Sequence, residues 1–329
     1  MRKRALGVVL GFGLAALGGC TLGRELARAR LAEGDAALRQ RNIEAALAEF
    51  REAVKLDPQW AEAHYKLGLA YKEKGALEDA AGALQEAVKL DPRNATPIIA
   101  LGDVYRLLNR ITQAIRAYTM ARDLQPQNFD IRFRLATLYH QSGDLEKAVE
   151  AYEDAIRVDP RNAYARSNLG AALAALGRNY EAIKAYKESL ECNQGQPVVL
   201  VNLATVYINQ ERWDTAQRAL NVALSMDPTL SVAHERLGYC LWRRQNYTAA
   251  AEHYERAIEL DPKNAAAYAG YGVVLMTRHL EQPEDLALRD QAVEAWHTSL
   301  ELNPAQPKLR ELVDKYRPRI ARPALTLDD

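Results

Sequence analysis

Residues 61–94, AEAHYKLGLAYKEKGALEDAAGALQEAVKLDPRN, decide how the rest of the chain is read. Sliding the sequence against itself by the 34-residue length of this stretch superimposes it on its neighbours with almost no gaps. A fixed period of this size marks a stack of identical supersecondary units, each burying its apolar face against the next. Position 8 of the unit is always small: Gly34, Gly68, Gly102, Ala136, Gly170, Ala204, Gly238 and Gly272. Position 20 is always alanine, from Ala46 and Ala80 through Ala148 to Ala292, and position 27 is alanine except for Ser189 and Ser299. Two helices approach closely only where side chains are this small, so these positions predict where a helix pair crosses.

Larger apolar groups surround the predicted crossing. Position 11 carries Tyr71, Tyr105, Tyr139 and Tyr207, and position 24 carries Phe50, Tyr118, Tyr152, Tyr186, Tyr254 and Trp296. Position 32 is proline in every unit but one, and proline there ends the second helix. Small residues at 8, 20 and 27 with proline at 32 resemble the tetratricopeptide repeat. The resemblance implies an all-α, right-handed superhelical solenoid of eight tetratricopeptide helix pairs, its first helices lining a concave surface. The repeats run 27–60, 61–94, 95–128, 129–162, 163–196, 197–230, 231–264 and 265–306. Leu309, Leu312, Val313 and Tyr316 then form an i, i+3, i+4, i+7 stripe that predicts a capping helix over 307–317. Residues 318–329 are expected to be a mobile tail.

The N-terminus reads MRKR, then the apolar ALGVVLGFGLAAL, then GGC. A basic start and an apolar core too short for a membrane span describe a secretory signal over residues 1–19. Leu17-Gly18-Gly19-Cys20 resembles the lipobox of bacterial lipoproteins, which implies a lipid on the Cys20 sulfur. Residues 20–26 are then a short tether. Thr21 after the cysteine implies, by the same resemblance, sorting to the outer membrane with the array facing the periplasm. Removing Arg2, Lys3 and Arg4 turns 43 bases against 43 acids into 40 against 43, a formal charge of −3. Nucleic acid is therefore not an expected partner, since its recognition needs a basic surface. Membrane attachment falls to the lipid.

Three places depart from the pattern. Repeat five ends in Cys192-Asn193-Gln194-Gly195-Gln196-Pro197, which displaces the stop signal and leaves open a softer joint or a harmless variant turn. Repeat eight carries eight extra residues between its helices, and Pro283, Glu284 and Asp285 suit the first turn of a second helix extended toward its N-terminus. Cys192 and Cys240 occupy positions 30 and 10, two repeats apart, and are expected to be buried thiols without a bridge between them.

No catalytic or metal-binding constellation is present: the sequence has no HExxH, CxxC, GxSxG or glycine-rich phosphate loop. His64 and His234 stand at position 4, where the family carries large rings, and are expected to be core groups. No cofactor is implied. What the array offers is surface. At 100° per residue, positions 4, 7, 8 and 11 of the first helix share the core face, while 2, 5, 6, 9 and 13 are left over. Position 6 across repeats four to seven reads Arg134, Asn168, Asn202 and Arg236, with Tyr65, Phe133, Tyr164, Tyr239 and Trp242 nearby. In superhelical members of the family, asparagines at this position hold the backbone of an extended peptide. Only two rungs match here, and the family's basic clamp for a terminal carboxylate is absent. The resulting expectation is a protein-binding scaffold of the bacterial envelope, serving a pilus, secretion, polysaccharide-export or cell-wall assembly. The competing expectation is an enzyme or glycan-binding protein using the same groove.

Overall fold

A computed structural model describes residues 23–316; the expected signal peptide, Cys20 and the expected tail lie outside them. Among the described residues there are seventeen helices and no strand. The chain divides between Pro160 and Arg161 into two compact units. Unit 1 holds repeats one to four: α1 (23–39), α2 (Ile43–Leu56), α3 (Ala61–Lys74), α4 (Leu77–Leu90), α5 (Ala95–Leu107), α6 (Ile111–Leu124), α7 (Phe129–Gln141) and α8 (Leu145–Val158). Unit 2 holds repeats five to eight and the cap: α9 (Ala163–Ala175), α10 (Asn179–Cys192), α11 (Pro197–Asn209), α12 (Trp213–Met226), α13 (Ser231–Arg243), α14 (Tyr247–Leu260), α15 (Ala265–Glu281), α16 (Leu286–Leu302) and α17 (Pro307–Tyr316). This is the all-α array of eight helix pairs and a capping helix. Residue 23, inside the stretch read as tether, is already helical.

The small positions mark the crossings. The alanines of position 20 are fully buried in every repeat, as are those of position 27 and the serines that replace two of them. Position 8 meets the ring of position 24. A Cβ on Gly170 would stand 2.8 Å from the Tyr186 ring, and one on Gly272 would stand 2.5 Å from Trp296. The first helices also bury positions 3 and 10, such as Ala165 and Ala172, because each is sandwiched between its own second helix and the neighbouring repeat.

Two turns join the helices, and each has its own device. Inside every repeat but the last, position 15 adopts a left-handed backbone. Gly75, Gly143 and Gly177 do so at no steric cost, whereas Arg41, Asn109, Glu211 and Gln245 are forced there with φ of 56–63°. The following amide then reaches back to close the helix, as in Asp144 N to the Tyr139 carbonyl at 3.0 Å. Between repeats, Asn94, Asn128, Asn162 and Asn264 cap the next first helix. A basic side chain at position 4 donates to the carbonyl of the preceding position-32 proline. His64 does so to Pro58 (3.0 Å), Arg132 to Pro126 (2.9 Å) and His234 to Pro228 (3.2 Å). The position-4 histidines are thus half-buried clamps on the joint rather than core rings.

The joint after repeat five is held by side-chain hydrogen bonds. Gln196 is buried and donates to the Ser189 carbonyl (3.1 Å) and the Asn193 carbonyl (2.7 Å), while Ser189 Oγ donates to the Ala163 carbonyl (2.8 Å). Gln306 and Ser299 repeat this arrangement before α17. The two joints share the sequence S-L-E-x-N-x-x-Q-P, and Pro197 and Pro307 each open the next helix. The repeat-eight insertion lengthens both helices rather than the second alone: α15 and α16 each have 17 residues. Pro283 and Glu284 lie in the connecting turn, and Asp285 is the N-cap, accepting from the amides of Ala287 (3.1 Å) and Leu288 (3.3 Å). Cys240 is buried, and burial pushes its thiol up to about 11. Cys192 is exposed, contrary to expectation, because the last turn of α10 turns it to solvent.

Candidate functional site

Once the first helices have spent positions 3, 7, 8 and 10 on the core, positions 2, 6, 9 and 13 remain for recognition. The two units use them differently. Twice in unit 1 an acid at position 9 pairs with a base at position 6 of the next repeat. Asp35 meets Lys66 at 3.0 Å, and Asp103 meets Arg134. Asp103 also accepts from the Tyr118 hydroxyl at 2.5 Å and stands 3.8 Å from Lys72. Burial, followed by this bond, raises the Tyr118 phenol to about 12. The guanidinium of Arg134, expected to face a ligand, is therefore engaged within its own unit.

The unit 1 rings are likewise occupied. Phe133 stacks on Phe129 with ring centroids 5.6 Å apart and tilts against Tyr152 at 5.9 Å. Tyr65 packs half-buried against the core of repeats two and three, and burial raises its phenol.

Unit 2 has no such pairing in repeats five and six. Position 9 is Ala171 and then Thr205, whose hydroxyl donates to its own helix at the Val201 carbonyl (2.9 Å). Asn168 is half-buried and Asn202 exposed, and neither amide makes a hydrogen bond among the described residues. They stand at the same position on neighbouring first helices that touch one another. One turn before each, position 2 presents an exposed apolar group: Tyr164 (68% exposed), Val198 (58%) and, on α13, Val232 (51%).

At repeat seven the surface gains charge. Arg236 lies with Nε 3.4 Å from Glu235 Oε2, and that Nε is buried without a hydrogen-bond partner. Glu235 is only 7% exposed, and burial raises its carboxyl despite the neighbouring Arg236. Tyr239 and Trp242 are 5.9 Å apart, and Trp213 meets Tyr239 edge-on at the same separation. The Arg243 guanidinium sits 4.3 Å over the Trp213 ring. Trp242 also donates to Thr277 Oγ1 at 3.2 Å, tying α13 to α15.

Glu235, Trp213 and Arg243 escaped the sequence reading. Glu235 had a signal: an acid at position 5, where other repeats carry Tyr65, Ile99, Phe133 and Val201. Trp213 stands at the start of a second helix, and nothing in the repeat numbering brings it beside α13.

Among the described residues no group of three or more His, Cys, Asp or Glu could hold a metal ion, and no helix is long and apolar enough to cross a membrane. What unit 2 presents is a face of unpaired amides and apolar groups ending at an aromatic, arginine-bearing patch.

Known proteins share this architecture. A family model described as "Cilia and flagella-associated protein 70 C-terminal domain" matches residues 99–271, more than half of the chain, and one described as "Tetratricopeptide repeat" matches residues 31–95. Tetratricopeptide repeat protein 21B of Mus musculus is 30% identical over 116 residues, which span 35% of this chain but only 8% of that relative. Among solved structures, a tetratricopeptide repeat protein from Parabacteroides merdae matches with a TM-score of 0.60 at 20% identity, over 78% of this chain and 98% of its own. YrrB, described as a TPR protein with an unusual peptide-binding site, matches with a TM-score of 0.50 at 22% identity, over 56% of this chain and 95% of its own. The chain belongs to the tetratricopeptide repeat family, with residues 99–271 matching its Cilia and flagella-associated protein 70 C-terminal domain branch.

Proposed function

We propose that this chain is a lipid-anchored scaffold of a bacterial envelope, held at the membrane through Cys20. On this reading it faces the periplasm from the outer membrane and binds extended peptide segments of partner proteins on the first-helix face of unit 2. A tetratricopeptide array is a protein-binding surface by construction, and this much needs only the fold. The observation that carries the narrower reading is the contrast at position 6. Lys66 and Arg134 are neutralised by Asp35 and Asp103, whereas Asn168 and Asn202 are left with a free donor and acceptor each. One amide can satisfy both the N–H and the C=O of a peptide backbone, which gives affinity without a sequence requirement. Tyr164, Val198 and Val232 line the same face with apolar surface for side chains. Tyr239, Trp242 and Arg236 supply the aromatic and arginine anchors that dominate interface energies.

The test is the double variant Asn168→Ala/Asn202→Ala, compared with wild type for capture of envelope proteins identified by mass spectrometry. Helicity and melting should be nearly unchanged, since neither amide bonds within the chain. Capture should weaken by about 1–3 kcal/mol, as lost hydrogen bonds of this kind cost. Undiminished capture by the folded double variant excludes this face. Labelling with a clickable fatty acid tests the anchor: Cys20→Ala should lose the label, and a variant that keeps it removes lipidation from the proposal.

A further inference from the structure

Repeat eight breaks the array's rules at two neighbouring positions. Position 7 is leucine from repeat two through repeat seven, but Tyr271 here. Position 4 holds a clamp on the proline carbonyl or an aliphatic group in repeats two to four, six and seven, but Tyr268 here. The two rings stand one turn apart on α15 and wall a cleft of about 430 Å³ among α14, α15 and α16. That volume lies within the range of small-molecule sites, about 300–1,000 Å³. None of the lining residues belongs to the face that carries Asn168 and Asn202, so the cleft is a separate feature of unit 2.

The cleft's chemistry is specific. Ile258 gives it an apolar side, and Glu255, Glu259 and Glu294 stand around it. Glu259 is neutralised by Arg256 at 2.8 Å. Among the described residues Glu255 accepts only from the Tyr271 hydroxyl (2.5 Å), an uncharged donor that leaves its charge in place. The Glu294 carboxylate has neither a hydrogen bond nor an ion pair among the described residues. Arg278, the remaining base nearby, lies two turns further along α15 and is felt at the Tyr271 hydroxyl. Two carboxylates thus line the cleft together with two phenol rings and an apolar side, and among the described residues no group of three or more His, Cys, Asp or Glu could hold a metal ion. Ammonium groups satisfy carboxylates and aromatic faces together, and a hydrocarbon spacer covers the apolar side.

We propose that this cleft binds a small organic dication of the diamine or polyamine class, one ammonium at Glu255 beside Tyr271 and the other at Glu294. The site is independent of the peptide-binding face, so either can fail without the other. The full chain would be titrated by calorimetry at low salt with 1,4-diaminobutane and with spermidine, and with butane-1,4-diol as the uncharged analogue. The expected result is one saturable site per chain for the amines and none for the diol. Glu294→Gln should weaken amine binding by about tenfold, and Tyr268→Leu should weaken it at unchanged charge. Glu294 is exposed and unpaired, so its amide variant keeps the fold, which melting verifies. No saturation up to millimolar amine, equal binding of the diol, or undiminished binding by Glu294→Gln each overturns the proposal.

Discussion

Position 8 shows how tightly a single residue is held. The array accepts Ala136 and Ala204 there, but a methyl group on Gly272 would meet Trp296 at 2.5 Å and the Ala292 carbonyl oxygen at 2.8 Å. A ring can move by tenths of an ångström, whereas a helix backbone cannot. Gly272→Ala should cost about 1–3 kcal/mol, read as a lower denaturant midpoint. Gly102→Ala should cost less, since its neighbour is the Tyr118 ring at 3.0 Å. Position 15 runs in the opposite direction. Gln245 is exposed and held at φ 63°, a conformation costing about 1–2 kcal/mol for any residue with a Cβ. Gln245→Gly should therefore add about 1 kcal/mol of stability, or somewhat less once the added freedom of the unfolded chain is counted, read as a higher midpoint. The small crossing positions were legible because sterics leave no alternative at them. The left-handed turn was not, because four of the seven residues that adopt it are Arg41, Asn109, Glu211 and Gln245, and none of them is glycine.

Between elements, pairing depends on atoms that repeat numbering cannot position. His234 on α13 and His253 on α14 bring their Nδ1 atoms to 2.9 Å, while His234 Nε2 lies 3.2 Å from the Pro228 carbonyl. That carbonyl only accepts, so His234 carries its proton on Nε2 and takes a hydrogen bond at Nδ1 from His253. Burial lowers the basicity of both rings. At His234 the Pro228 carbonyl opposes this and Arg256 adds to it; at His253 His234 adds to it and Glu252 opposes it. The folded state therefore binds fewer protons than the unfolded one as pH falls below the ordinary histidine value of about 6.5. Stability is unaffected above that value, declines as pH drops through it, and stops declining below the lowered folded values. His253→Gln keeps a hydrogen-bonding partner for His234 but removes one titrating ring. The difference in melting temperature between about pH 7.5 and about pH 5 should be smaller in the variant than in wild type. An equal difference would assign the acid sensitivity elsewhere. The joint after repeat five teaches the same lesson about legibility. The missing proline at Gln194 was plain in the sequence, but the clamp of Gln196 on Ser189 depends on a side chain folding back seven residues. Only the recurrence of the same residues at Ser299 and Gln306 hinted at it.

At the scale of the whole chain, period, helix pairing and cap follow from composition at a handful of positions, and these were readable. Which part of the surface is free to bind was not. Arg134 and Asn168 share position 6, and it is the ion pair with Asp103, at position 9 of the repeat before, that takes the Arg134 guanidinium out of the free surface. The organisation of the array also dictates how damage spreads. Helices pack against their sequence neighbours within each unit, so stability is a sum of local terms rather than one global term. Ala148 on α8 is fully buried at the crossing of repeat four. Ala148→Leu should overpack that crossing by about 1–3 kcal/mol. Hydrogen exchange should then accelerate first in α7 and α8, next in the neighbouring helices of unit 1, and least in α13–α16. A variant in which all helices lose protection equally and together would show that the array unfolds as a single cooperative body, and the nearest-neighbour description of its stability would have to be abandoned.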